Sequence, residues 1–183
     1  MTPAQVPVRW LGAVEAVVAG VRGLDGYRAP YPAYGGGVIV FDGPDYQLDS
    51  DPSEIDVVVD GEAVPLTLWV SIGWAGDPTQ AEESGTSGQV PGPIGPSRSH
   101  EETGSIRCCI DGTSGGNDLA PVRAEAFRVL AEIEGWVNAS SPPLGLQGFR
   151  VATVTDLSVQ QQQQADGVWV RLTFSITYSA RMP

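Results

Sequence analysis

Gly167-Val168-Trp169-Val170-Arg171-Leu172-Thr173-Phe174-Ser175-Ile176-Thr177-Tyr178 decides the fold. Its Val, Leu, Phe, Ile and Tyr residues at 168, 170, 172, 174, 176 and 178 alternate with Trp169, Arg171, Thr173, Ser175, Thr177 and Ser179. Successive strand side chains point to opposite faces, so this alternation marks a long strand with one buried face. Such a face needs a second layer against it. Residues 118 to 137 supply one. Val122, Ala126, Val129, Leu130, Ile133 and Val137 recur at helical spacing, ringed by Arg123, Glu125, Arg128, Glu132 and Glu134. Asp118 is placed to cap this helix, with Pro121 tolerated in its first turn.

Further strands follow from the remaining apolar runs. Val38 to Phe41 reads as a buried strand closed by Asp42-Gly43-Pro44, and Ile55 to Val59 as a second, closed by Asp60-Gly61. Leu66 to Trp74 alternates Leu66, Leu68, Val70 and Ile72 with Thr67, Trp69, Ser71 and Gly73. Gly104 to Ile110 reads as a fourth strand, ended by Asp111-Gly112, and Phe149 to Leu157 as a fifth. Gln160 to Gln164 then reads as a polar strand end and turn. Residues 6 to 22 form a first helix on Trp10, Leu11, Val14, Val17, Val18 and Val21. From 75 to 103 periodicity vanishes among glycines and prolines, which predicts a long structureless loop. The fold class expected is α/β (α+β), with a mixed sheet of about five to six strands and two main helices. All 183 residues form a single domain.

Composition removes most chemistry. The chain has no lysine, one histidine (His100) and two adjacent cysteines. Without lysine there is no Schiff base and no P-loop phosphate ligand. A Ser-His-Asp relay must run through His100, which sits in the glycine-rich stretch between 75 and 103. Cys108 and Cys109 lie on opposite faces of a strand, one buried and one partly exposed, and cannot easily share a metal ion. A calcium loop starting at Asp49 needs Gly at its sixth position and Glu at its twelfth; this chain has Glu54 and Asp60. Gly112-Thr113-Ser114-Gly115-Gly116 lacks the endings of nucleotide-binding turns, and Asp118 repels an anion. The expectation is no enzyme, no cofactor and no metal.

Net charge is −12, which argues against nucleic-acid binding and against docking on an anionic membrane. No apolar run approaches the roughly 20 residues of a membrane span. Met1 to Gln5 lacks the character of a signal peptide, so cytoplasmic synthesis is expected. Trp69 and Trp169 fall on the polar phases of their strands. Each is either covered by a helix or exposed for a partner, and both are interface candidates.

The order of elements then matters: a helix, a proline-rich loop, Val38-Ile39-Val40-Phe41-Asp42-Gly43-Pro44, Ile55 to Gly61, Leu66 to Ile72, Glu102 to Ile106, the long helix, and Gly167 to Tyr178. This order resembles the tail terminator proteins of long non-contractile-tailed phages, in particular those infecting actinobacteria. The resemblance rests on element order and the Asp-Gly-Pro turn and spans the chain outside residues 75 to 100. It implies a virion protein, assembled in the host cytoplasm. Six copies form a ring that caps the tail tube, ends its growth and offers a surface to the head-tail connector protein. Its partners are itself, the tail tube protein and that connector; DNA passes through without specific binding. An acidic bore keeps the duplex sliding, so some of Asp45, Asp49, Asp51, Glu54, Glu82, Glu83, Glu101 and Glu102, placed in loops, are lumen-facing candidates; the alternative is that they only keep the chain soluble. The alternatives are another neck, tail-completion or connector protein, and, more distantly, a small carboxylate-based hydrolase or ligand-binding domain.

Overall fold

The computed structural model describes residues 9–30, 37–43, 55–59, 62–74, 85–91, 100–164 and 167–181. Helix α1 spans Arg9–Arg22 and leads through β1 (Tyr27–Arg28) to β2 (Val38–Asp42), β3 (Ile55–Val59) and β4 (Glu62–Ile72). Then come β5 (Gly85–Pro91), β6 (His100–Ser114), α2 (Leu119–Ala139), β7 (Phe149–Gln164) and β8 (Gly167–Arg181). Six strands form one mixed sheet in the order β1-β2-β4-β6-β8-β7, with β3 paired to β4 and β5 paired to β6. The contacts β1–β2 and β2–β4 are parallel and the rest antiparallel. This is the expected α+β architecture.

Both helices pack on one sheet face. The even-numbered residues of β8 from Val168 to Ala180 are buried there with Ile106, Cys108 and Ile110 of β6 and Leu66, Leu68, Val70 and Ile72 of β4. Against them lie Ala13, Val14, Val17, Val18 and Val21 of α1 and the six expected apolar residues of α2. Burying each Leu, Ile or Val here stabilises by about 1.5–3 kcal/mol relative to exposure. Asp118 caps α2 as its sequence position predicts, accepting a hydrogen bond from the Ala120 N–H at 2.9 Å. Two close approaches need glycine. A Cβ on Gly20 of α1 would sit 1.9 Å from Cζ2 of Trp136 on α2. One on Gly112 of β6 would meet Leu68 at 2.8 Å and Val122 at 2.9 Å. Among the described residues no helix is long and apolar enough to cross a membrane.

Three readings are corrected. The stretch 75–103 is not uniformly irregular: β5 pairs with β6 from Gly85↔Ile106 to Pro91↔His100, and β6 begins at His100. A ladder compensates for β5's lack of an apolar rhythm. Asp111-Gly112 does not end its strand, because β8 offers partners as far as Ser114↔Val168. Gln160 to Gln164 is strand throughout, paired in register with Arg171 to Gly167. Side chains reinforce it: Arg123 donates to Gln161 at 3.3 Å, and Gln163 donates to the Asn117 carbonyl at 2.8 Å. Strand β7 carries register shifts at Phe149/Val151 and Thr155/Ser158; in the second, Asp156 adopts φ +57°.

Candidate functional site: the helix-free sheet face

The odd-numbered positions of β8 face away from the helices, and register gathers a distinct set of residues around them. One row across the sheet reads Ile39, Trp69, Asp111, Arg171 and Gln160. The row below reads Phe41, Ser71, Cys109, Thr173 and Ser158; the row above reads Thr67, Thr113, Trp169 and Gln162. Exposure rises from one side to the other. Ile39, Phe41, Ser71, Cys109 and Asp111 are buried, Thr173, Trp169 and Arg171 are half-buried, and Ser158, Gln160 and Gln162 are exposed.

An ion pair sits at the centre. Arg171 Nε donates to Asp111 Oδ1 at 2.6 Å, with Asp111 wholly buried and the Arg171 side chain 18% exposed. The Cys109 thiol donates to Asp111 Oδ2 at 3.3 Å. Burial, and secondarily the Asp111 charge, pushes the Cys109 thiol far above its ordinary range. The thiol therefore stays protonated and serves as a donor, since the nucleophile is the thiolate. The Arg171 guanidinium lies 4.9 Å from the Trp169 ring centroid and 5.7 Å from that of Trp74. Cations at this range are attracted to the indole face. The result is a rigid platform: a fixed carboxylate holds an arginine, and the arginine carries a half-exposed tryptophan.

Beside it, a cleft of about 500 Å³ opens at Thr113, Ser114, Gln162, Gly167 and Trp169. A smaller one of about 220 Å³ lies at the β7 bulge among Arg107, Asp156, Thr173 and Ser175. The smaller one sets the Asp156 carboxylate near the Thr173 and Ser175 hydroxyls, and Asp156 accepts a hydrogen bond from the Thr155 hydroxyl at 3.1 Å. Cys109 is locked onto Asp111, and among the described residues no three His, Cys, Asp or Glu side chains converge on a metal position. The other thiol, Cys108, lies in the helix-side core, so both cysteines are buried, not one of them partly exposed as expected.

Sequence phase puts Trp69 and Trp169 on this face, and the structure brings them there on adjacent rows. Trp69 is half-buried, and its indole Nε1 has no hydrogen-bond partner among the described residues. Of the acids, Asp45, Asp49, Asp51, Glu54, Glu82 and Glu83 lie outside the described residues. Glu101 and Glu102 are in β6 and not in a loop. Glu101 is exposed, but Glu102 is 3% exposed and accepts the Tyr178 hydroxyl at 3.4 Å, so it does not project. The Asp111–Arg171 pair escaped sequence reading; its only signal is an arginine and an acid each on the polar phase of a strand. No family model and no curated protein matches the chain.

Proposed function

We propose that the chain is a structural virion subunit, the tail terminator of a long non-contractile-tailed phage. Six copies form a ring that caps the tail tube, ends tube elongation and presents a surface to the head-tail connector, with DNA passing through unbound. The observation that carries the reading is the platform of Trp169, Arg171 and Asp111. Tryptophan and arginine, held rigid and partly desolvated, are the residue types that dominate protein interface energetics. An ion pair this tightly made fixes geometry and occupies both of its charged groups. The order of elements supports the same reading, since it resembles that of the terminator family. The acidic balance of the chain suits a bore that must not retain DNA.

Particle images of the purified protein, with light scattering after size exclusion, test the proposal. Closed rings of six copies, and tails of uncontrolled length when the protein is withheld from tube assembly, are the expected results. A monomer that binds neither itself nor tail tubes, with a small-molecule ligand in the cleft beside Trp169, would overturn it in favour of the ligand-binding alternative.

A further inference from the structure

Among the described residues β1, β3, β5 and β7 each have an open outer side. β1 has only two residues and β5 is interrupted by Gly85, Gly88 and Pro91, so the sides best suited to a further strand are those of β7 and β3. β7 is a terminal strand of the sheet. After its second bulge it runs regularly from Ser158 to Gln164, and Leu157 to Gln164 contains no charged residue. Leu157 and Val159 are 48% and 44% exposed. Natural edge strands are usually blunted by charge, proline or shortness, because open N–H and C=O groups accept a further strand. Residues 158–164 carry none of these protections. The bulge at Asp156 guards only what precedes it.

The other such strand is β3. Residues Ile55–Val59 pair solely with Glu62–Leu66, and β4 joins the main sheet only from Thr67, opposite Thr113. The β3–β4 hairpin is therefore an arm that runs past the end of the sheet. Its root is tied down by Ser114, whose hydroxyl donates to the Pro65 carbonyl at 3.0 Å. The sequence Ile-Asp-Val-Val-Val is rich in β-branched residues and has one charge, Asp56. The five residues of the arm fit within the seven of the open β7 stretch.

The two lie at the same end of the sheet on opposite sides. Thr67, at the arm's root, shares a row with Thr113, Trp169 and Gln162. Three strand spacings, roughly 15 Å in all, separate the β4 and β7 sides of that row. We propose that copies of this chain join head to tail, the β3 arm of one adding as an extra strand to β7 residues 158–164 of the next.

A contact between two different surfaces of one chain repeats, and it closes into a ring where its rotation divides a full turn, whereas a self-complementary contact stops at a pair. The proposal thus rests on the ring reading and supplies its joint. Charge favours it, since in a chain of net charge −12 the joint sets one carboxylate against a strand with none. The arm's midpoint lies about four residues beyond Gln161 along the strand direction, roughly 13 Å, which sets the inclination of the sheets to the ring axis.

The test uses two full-length variants, mixed. Val159→Lys blocks the edge at an exposed position. Val57→Lys with Val58→Lys blocks the arm by charging two successive strand positions. Light scattering is read for each alone and for a one-to-one mixture, after melting curves establish that both fold. Each variant alone should associate about tenfold or more weakly than the parent, and the mixture should form pairs that grow no further, because one intact joint remains. Rings that persist in both variants would overturn this joint and leave the ring reading standing. A parent chain that never self-associates would overturn both. Should the arm variant fail to fold, Gln161→Cys and Val58→Cys chains are mixed and oxidised instead. Both native thiols are buried and stay out of the reaction. A disulfide between unlike chains supports the joint, and disulfides between like chains alone overturn it.

Discussion

Replacing Arg171 by methionine isolates the contribution of the ion pair beneath the tryptophans. Methionine keeps apolar contact with the Trp74 and Trp169 rings but removes the charge facing Asp111, which has no solvent exposure. A buried carboxylate stripped of its partner destabilises by about 3–5 kcal/mol. Loss of the guanidinium from above two indoles adds roughly 0.5–2 kcal/mol. For a chain of this length each kcal/mol lowers the melting temperature by about 2–4 °C, so a fall of about 10 °C or more is expected. Pairing Arg171→Met with Asp111→Leu should return most of the loss, because replacing both buried charges by apolar groups is often neutral or stabilising by about 1–4 kcal/mol. The comparison is Arg128→Ala, which breaks surface ion pairs to Glu125 and Glu132; the Arg128 side chain is 43% exposed. Such surface pairs contribute about 0–1 kcal/mol. Urea unfolding of the parent, both single variants, the double variant and Arg128→Ala measures all five. A loss under 1 kcal/mol for Arg171→Met, or a double variant no more stable than the single, would refute the central place given to this pair.

Three further outcomes are expected. Leu130→Asp or Phe174→Asp should abolish soluble folded protein, since both side chains lie in the helix-side core and an unpaired buried carboxylate costs several kcal/mol; normal melting of both would show that the faces are misassigned. Gly112→Ala should cost about 1–3 kcal/mol by overpacking, read by urea unfolding, because its Cβ would press on Leu68 and Val122 where α2 begins. Stability should fall as pH rises from about 9 to about 12. Burial pushes the Cys108 thiol from 9.0 up to about 12, so over that window the unfolded chain gives up a proton that the folded chain keeps. Tyr27, Tyr178 and Cys109 act in the same direction, each held above its ordinary range chiefly by burial. A urea midpoint that stays flat or rises over that window would contradict these assignments.

The fold was legible where side chains carry a rhythm. The alternation from Val168 to Tyr178, the stripe from Val122 to Val137 and the cap at Asp118 each express one local rule, and each stands where that rule puts it. What escaped depends on partners distant in sequence. Gly85, Gly88 and Pro91 give β5 no local preference for a strand; it forms on backbone groups that β6 offers. The glutamines of β7 extend because β8 is long enough to pair with them. The site divides in the same way. Strand phase alone put Trp69 and Trp169 on a common face. Asp111 and Arg171 are 60 residues apart, and only the register of β6 on β8 sets one against the other.

That register is the more telling result. A buried ion pair is a poor source of stability, since a pair of apolar residues would hold the same strands at less desolvation cost. What the pair does provide is position. Asp111 is fixed between the Cys109 thiol and Arg171, and it holds the guanidinium against Trp169 at the point where the face passes from buried to open. Beyond that point lie Gln160 and Gln162, exposed, on the same strand as the uncharged edge. A one-residue slip of β8 on β6 would turn Arg171 into the helix-side core and Leu172 outward. The ion pair forbids that slip, because it would bury an arginine with no acid opposite. Platform and edge are thus aligned by one interaction. If both are surfaces for assembly, the variant that replaces both charges should fold and yet assemble poorly. Urea unfolding and light scattering on that one protein separate the two properties: intact stability together with full assembly would show that the pair serves the fold alone.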